Sequence, residues 1–153
     1  MISAELREEV SIELEAIEKV VAELIALLQD LGSREPTVRE RTAAAAFLSQ
    51  FYNGIENILK RISNSHNVPL PSGETWHVDL FKRFCFPSFS SLPTLFDDDL
   101  AAALAPFRKF RHVFYHGYGF YMDWDRMQEG IMSVGAVFTR FKTNLNSYLQ
   151  SLP

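Results

Sequence analysis

The chain has 153 residues, a length typical of one domain that buries its own core. With 47% hydrophobic and 22% charged residues, its composition argues against an intrinsically disordered protein. The single cysteine excludes an internal disulfide framework and a cysteine-rich zinc site, and the formal net charge of −4 argues against a protein whose whole surface coats nucleic acid.

The first thirty residues predict a long amphipathic helix that ends at Gly32. Its apolar residues recur every three or four positions and share one stripe, which contains Ile2, Leu6, Val10, Leu14, Ile17, Val21, Leu24, Leu28 and Leu31. The segment lacks the apolar centre of a signal peptide, and no stretch approaches the ~20 uncharged apolar residues of a transmembrane helix. We therefore expect a cytoplasmic protein that does not contact a membrane.

A second helix is predicted to begin after Pro36 and to end near residues 63–64. Thr37 and Glu40 have the spacing of a capping box, in which each side chain accepts a hydrogen bond from the other residue's backbone amide. The apolar stripe of this helix contains Ala44, Phe47, Leu48, Phe51, Ile55, Ile58, Leu59 and Ile62. Two prolines and a glycine in residues 65–73 then predict an irregular loop.

A short helix is predicted around residues 75–83, and it is followed by a loop at residues 86–93. The last helix of the chain is predicted from about residue 125 to residue 149. Its apolar stripe contains Met127, Ile131, Val134, Phe138, Phe141, Leu145 and Leu149.

The third long helix lies between these two and begins within residues 97–99, where three aspartates suit the positive end of a helix dipole. Pro106 either kinks this helix or marks its first turn. Gly117 and Gly119 weaken its end.

Four long helices and one short helix predict an all-α fold, an antiparallel up-and-down helical bundle that forms a single domain over residues 1–153. No segment alternates with a period of two for long enough to predict a strand, and no P-loop or dinucleotide-binding motif is present.

The densest cluster of polar chemistry is residues 107–118, near the end of the third long helix. It contains three cationic side chains, two tyrosines and two of the four histidines. At about 100° per residue, Arg111 and Tyr118 share a face of the helix, and Arg108 and Tyr115 lie close to that face.

The two histidines of this cluster, His112 and His116, are four residues apart and form a neighbouring pair. Arg111 and His116 differ by about 140° around a regular helix, so the helix alone does not bring them together. The helix loosens at Gly117, or the two residues meet around a shared groove, or a second copy of the chain completes the site.

These residue types suit cleavage of a phosphodiester. Arg111 can bind a phosphate and stabilise the charge that develops on it, and a histidine can act as general acid or base near neutral pH. In RNA the 2′-hydroxyl supplies the nucleophile, so the reaction requires no metal. Tyr118 could orient the phosphate or stack on a base.

Structural explanations compete with these functional ones. The cluster could be an exposed basic helix end, and the pair His112 and His116 lacks an evident third ligand for zinc. The aspartates at residues 97–99 could bind magnesium, although a helix N-terminus explains them as well. Trp76 and His77 could line a pocket but are more typical of buried anchors, and Cys85 between two phenylalanines is expected to pack in or near the core.

The spacing R-x4-H-x-Y from Arg111 to Tyr118 resembles the signature of HepT-like toxins, members of the HEPN superfamily of all-α ribonucleases. Three further segments are similar to the second helix, the central loop with its short helix, and the run before the active-site arginine of that family. They are residues 51–60, 69–77 and 107–112, and the resemblance covers roughly residues 40–150.

The resemblance implies a HEPN-like homodimer with both motifs facing one cleft. It implies a metal-independent endoribonuclease toxin of a type VII-like toxin–antitoxin pair, with RNA as substrate. In this role Arg111 would stabilise the phosphate, His116 would act as acid or base, and His112 and Arg108 would support the site. No cofactor and no metal are implied.

The resemblance also implies a partner, a minimal nucleotidyltransferase antitoxin that transfers AMP from ATP to Tyr118. The added bulk and negative charge would then block the RNA cleft. Two alternatives remain at this point: a catalytically silent HEPN-type module that binds nucleotides or a protein, and a structural helical adaptor in which the cluster is solvated surface.

Overall fold

The computed structural model of the protein describes residues 2–118 and 122–153. These residues form five α-helices: α1 Ile2–Leu31, α2 Val38–Ser65, α3 Trp76–Lys82, α4 Asp98–Tyr115 and α5 Trp124–Ser151. Within the described residues the only β-structure is one isolated bridge between Cys85 and Phe96. The predicted all-α fold with four long helices and one short helix is therefore confirmed.

The helix ends lie close to where local sequence signals predict them. Gly32 follows α1 with φ +56°, a conformation that glycine adopts without steric cost. At the start of α2, the Glu40 N–H donates to Thr37 Oγ1 at 3.1 Å and the Thr37 N–H donates to Glu40 Oε1 at 2.9 Å. The predicted capping box is thus present, and Arg34 donates to both oxygens of the same carboxylate.

The acidic segment before α4 acts as a helix cap. The Asp97 carboxylate accepts a hydrogen bond from the Leu100 N–H at 2.7 Å. Pro106 lies inside α4, eight residues beyond the first helical residue, so the prediction that it marks the first turn is wrong. The helix ends at Tyr115, before Gly117, whereas Gly119 lies outside the described residues.

Pairs of contacts show that neighbouring long helices run antiparallel, as in an up-and-down bundle. Along each pair, earlier residues of one helix meet later residues of the other. The contacts are Glu13–Arg61 and Ile17–Gly54 between α1 and α2, Arg7–Leu149 and Glu18–Lys142 between α1 and α5, and Asp97–Arg140 and Phe107–Gly130 between the α4 segment and α5.

The predicted apolar stripes of α1, α2 and α5 form the core. Most of their members are buried, and those that are only half-buried at the margin are Leu14, Leu28, Phe47 and Leu149. The side chain of Ile2 lies outside the described part of the structure. Among the described residues, no helix has the length and apolar character needed to cross a membrane.

At the end of the bundle opposite to the C-terminus of α4, Arg7 of α1 closes the last turn of α5. Its Nη2 donates to the carbonyl oxygens of Leu149 at 2.8 Å and Leu152 at 3.1 Å. The Leu149 carbonyl also accepts the N–H of the C-cap Leu152 at 3.3 Å, so Arg7 adds a side-chain donor at a helix end where carbonyls lack the usual helical partners. The contact therefore holds the first turns of α1 against the last turn of α5.

Candidate active site

Three helices bring polar side chains together at Arg111. Arg111 of α4 lies against Glu56 of α2, with 3.2 Å between its Nε and Glu56 Oε1. Its Nη1 lies 3.1 Å from His77 Nε2 on α3, and His77 Nδ1 lies 2.7 Å from Glu56 Oε2. Arg111 Nε also donates to Asn53 Oδ1 on α2. We refer to Asn53, Glu56, His77 and Arg111 as the Arg111 cluster.

Glu56, the counter-charge of Arg111, is more deeply buried than Arg111 or His77. The side chain of Glu56 is 2% exposed, that of Arg111 18% and that of His77 25%. A buried carboxylate is costly unless it is paired and hydrogen-bonded, and here both of its oxygens have partners. Asn53 and Glu56 are three residues apart on α2, so the helix places both side chains on the face that meets α4.

Tyr115 covers the outer side of the guanidinium. Arg111 Cζ lies 4.7 Å from the centre of the Tyr115 ring, and Asn53 Nδ2 donates to Tyr115 Oη at 3.1 Å. Arg111 Nη2 hydrogen-bonds to none of the residues that the structure describes. The guanidinium is thus fixed through Nε and Nη1, and it keeps Nη2 as a donor for a ligand.

The two histidines of the motif lie next to each other at the end of α4. The ring centres of His112 and His116 are 4.6 Å apart, and both residues are exposed. His116 is the C-cap of the helix, and its N–H donates to the Val113 carbonyl at 3.2 Å. In the described part of the chain, His116 makes no hydrogen bond or ring contact with Arg111.

Two further predicted site residues, Arg108 and Tyr118, are not members of the Arg111 cluster. Arg108 is half-buried, and its Cζ lies 5.3 Å from the ring centre of Phe81. Tyr118 is 69% exposed. The structure therefore brings Arg111 together with residues of α2 and α3, while His112 and His116 form a separate exposed pair.

The other residues that the sequence singled out, Asp97, Cys85 and Trp76, have surroundings of their own. Asp97 caps α4, and the described residues contain no group of three or more His, Cys, Asp or Glu side chains that could hold a metal ion. Cys85 is half-buried, and burial raises the pKa of its thiol. Trp76 packs on His77 with 3.5 Å between ring centres and receives Lys60 Nζ at 4.5 Å from its ring centre.

Sequence reasoning missed Asn53 and Glu56 as site residues, and it considered His77 only as a pocket or anchor residue. One signal was present in the sequence: Glu56 stands directly between apolar positions of the α2 stripe, where a carboxylate needs a buried partner. Nothing in the sequence identifies that partner, because Arg111 follows 55 residues later on a different helix.

Comparison with known proteins gives one match. A family model with the description "HepT-like protein" matches residues 43–152. This range includes every residue of the Arg111 cluster and leaves out α1. Neither a curated protein nor a solved structure matches the chain.

Proposed function

This chain belongs to the HepT-like protein family, and from that membership we propose that it is a metal-independent endoribonuclease toxin of the HEPN type. The observation that carries the proposal is the position of the R-x4-H-x-Y motif. Arg111 is held by a buried carboxylate at the C-terminal end of α4, and two exposed histidines follow it within five residues. A fixed cation beside titratable imidazoles is what phosphodiester cleavage needs.

In the proposed reaction the 2′-hydroxyl of RNA attacks the adjacent phosphorus, and the bond from phosphorus to the 5′-oxygen breaks. A base accepts the 2′-hydroxyl proton, and an acid donates a proton to the leaving 5′-oxygen, which gives a 2′,3′-cyclic phosphate and a 5′-hydroxyl. Arg111 would stabilise the charge on the phosphate oxygens, and His116 would act as acid or base. His112 and Arg108 would support this site.

We place the complete site between two copies of the chain. Arg111 and His116 do not touch within the described part of one chain, and they lie about 140° apart around α4. A homodimer in which both motifs face one cleft would let the Arg111 of one copy act with the His116 of the other. RNA binding would draw on the basic clusters of both copies, which suits a chain with a net charge of −4.

Tyr118 is the proposed point of control. Its exposure of 69% would let a minimal nucleotidyltransferase antitoxin reach its hydroxyl and attach AMP. The phosphate would add negative charge to the RNA cleft, and the adenosine would occupy it. We expect Tyr118→Phe to block AMP transfer, measured by intact mass after incubation with the antitoxin and ATP; AMP on another residue of this variant would contradict the assignment.

The test of the activity is RNA cleavage by the purified protein in EDTA. We expect the wild type to cleave and the double variant Arg111→Ala/His116→Ala to be at least about 100-fold slower. Arg39→Ala is the matched control, because Arg39 is an exposed cation outside the cluster and its loss changes the net charge equally. Equal cleavage by the wild type and the double variant would contradict the mechanism.

A second candidate function is a catalytically silent HEPN-type binding module. The observation that favours it is the engagement of Arg111 with Glu56, Asn53 and His77, which already balances its charge within the chain. RNA binding without cleavage would support this candidate, provided that the intact mass shows no AMP on the protein.

A further inference from the structure

We propose that His77 is a positioning residue for Arg111, and that Glu56 fixes His77 in the one tautomer that can do this. The inference rests on the proposed ribonuclease function, which it extends from the R-x4-H-x-Y motif of α4 to α2 and α3. It starts from three contacts: Arg111 to His77, His77 to Glu56 and Glu56 to Arg111.

The tautomer follows from the chemistry of the three groups. A guanidinium has only donors, so His77 Nε2, 3.1 Å from Arg111 Nη1, accepts a hydrogen bond through its lone pair. A neutral imidazole that accepts at Nε2 carries its proton on Nδ1. His77 Nδ1 lies 2.7 Å from Glu56 Oε2, a carboxylate oxygen that accepts this proton's hydrogen bond. One tautomer therefore satisfies both contacts, and the other satisfies neither.

The carboxylate closes the arrangement because it binds both partners. Glu56 Oε2 faces His77, and Glu56 Oε1 lies 3.2 Å from Arg111 Nε. Since the Glu56 side chain is 2% exposed, it has no room to turn toward water and exchange these partners. Three helices thus contribute one residue each to a closed ring of two hydrogen bonds and one ion pair, which restricts rotation of the guanidinium.

The orientation that results is useful for binding a phosphate. Nε and one hydrogen of Nη1 point inward to Glu56, Asn53 and His77. Nη2 makes no hydrogen bond to the described residues, so it is the donor that remains for an oxygen of the substrate. The rotation of an arginine held in this way is already restricted before RNA binds, so binding carries no further entropic cost for orienting it. Positioning of this kind mainly affects kcat.

The sharpest test compares His77→Gln with His77→Leu. The glutamine amide can donate to Glu56 and accept from Arg111 as the imidazole does, but it cannot take up or release a proton near neutral pH. Leucine fills a similar space and makes neither contact. We expect His77→Gln to keep kcat for RNA cleavage within about 3-fold of the wild type and His77→Leu to lose about 10- to 100-fold, with KM changed less in both.

Two results would overturn the proposal. If His77→Gln loses as much activity as His77→Leu, the reaction needs the titration of the imidazole, and His77 acts in proton transfer. If His77→Leu is as active as the wild type, Arg111 does not depend on His77. Circular dichroism of both variants would verify that they keep the helical fold.

A second measurement tests these contacts without any RNA. Nitrogen NMR of the wild-type protein should show the proton of His77 on Nδ1 and a slowly exchanging Arg111 Nη1–H, the hydrogen that His77 accepts. This Nη1–H signal should persist in His77→Gln and exchange rapidly in His77→Leu. A proton on Nε2 in the wild type would overturn the proposal even if RNA is cleaved. Absence of cleavage by the wild type would instead count against the proposed function.

Discussion

Tyr52 lies one turn before Glu56 on α2, and its hydroxyl is completely buried. Its Oη has no hydrogen-bond partner among the described residues. Burial raises the pKa of Tyr52 above its ordinary value, and the negative charge of Glu56 adds to this shift. The hydroxyl therefore carries a desolvation cost that no hydrogen bond offsets.

Tyr52→Phe should increase the free energy of unfolding by about 1 kcal/mol, because it removes this uncompensated hydroxyl. The gain should grow above about pH 10, since the tyrosine ionises in the unfolded chain but not in the folded one. Urea unfolding at neutral and alkaline pH measures both effects.

Tyr148→Phe is the matched control, because the Tyr148 hydroxyl lies 2.6 Å from His66 Nε2. This variant should lose about 1 kcal/mol instead. A loss of similar size in Tyr52→Phe would mean that the buried hydroxyl has a partner after all.

At the scale of single residues, the sequence identified only one member of the candidate cluster, Arg111. Arg111 was recognised because its motif is local, with all its residues within eight positions. Glu56 and His77 were not assigned to Arg111, because hydrophobic periodicity identifies the buried face of a helix but not which polar groups meet across three helices. A buried carboxylate in an apolar stripe signals that a partner exists without naming it.

Among the elements, α1 and α2 pack closely where Gly54 faces Ile17. A Cβ added to Gly54 would come within 2.8 Å of Ile17 Cδ1 and still nearer to Cγ1, and Ile17 is itself buried. The neighbouring Asn53 contacts Arg111 and Tyr115, so this crossing also supports the site.

Gly54→Ala should therefore destabilise the protein by roughly 1 to 3 kcal/mol through overpacking, although alanine favours helices. Gly130→Ala on α5 is the control. Its added Cβ would lie 3.7 Å from Phe107 and 3.8 Å from Leu48, an ordinary contact. We expect this variant to be neutral or more stable by up to ~1 kcal/mol. Thermal unfolding of both variants measures the difference, and equal effects would argue against a tight crossing.

The start of α2 makes a prediction about pH. The side-chain hydrogen bonds from Arg34, followed by the hydrogen bond from the Thr37 backbone N–H, lower the pKa of Glu40 to about 2. Because this pKa is lower than in the unfolded chain, the carboxylate stabilises the fold above its ordinary pKa. This contribution is lost as the pH falls through about 2.

Arg34→Gln should return the pKa of Glu40 toward its ordinary value, since the largest cause of the shift is removed. An NMR titration of the Glu40 side-chain carboxyl carbon measures this directly. Arg39→Gln serves as the control, because Arg39 is exposed and its side chain forms no hydrogen bond or ion pair with the Glu40 carboxylate in the described structure. An unchanged pKa in Arg34→Gln would contradict the assigned cause.

Helix boundaries were predictable where a cap lies within a few residues of the helix it begins. Thr37 and Asp97 are of this kind, since each accepts a hydrogen bond from an amide three residues later. Pro106 shows the limit of local rules. Proline is compatible with a first turn, but the aspartate cap upstream and the burial of Leu100 and Leu104 extend α4 past it.

For the molecule as a whole, the antiparallel bundle was predictable because four long amphipathic helices have few other arrangements that bury their apolar stripes. The packing of α3 against α2 and α4 was not predictable, because a helix of seven residues carries little periodic signal. This packing determines the composition of the candidate site, because α3 carries His77, which contacts Arg111.

The proposed composite site predicts complementation between two inactive variants. If each site takes Arg111 from one copy and His116 from the other, mixed dimers of Arg111→Ala and His116→Ala contain one intact site and one doubly altered site. After unfolding and refolding of an equal mixture, RNA cleavage should recover to about a quarter of the wild-type level. Separately refolded variants are the control. No recovery, with mixed dimers verified by mass, would mean that each site lies within one chain.

Because Arg7 contacts the carbonyls of Leu149 and Leu152, the helices could keep their arrangement in space even if their order along the chain were changed. This contact holds the first turns of α1 beside the last turn of α5, about 40 Å along α5 from the helix start that follows α4. A short linker could therefore join the two ends, and the chain could be opened at the exposed residues 88–91. The resulting circular permutant would begin with α4 and end with α3, yet Glu56, His77 and Arg111 would meet as before.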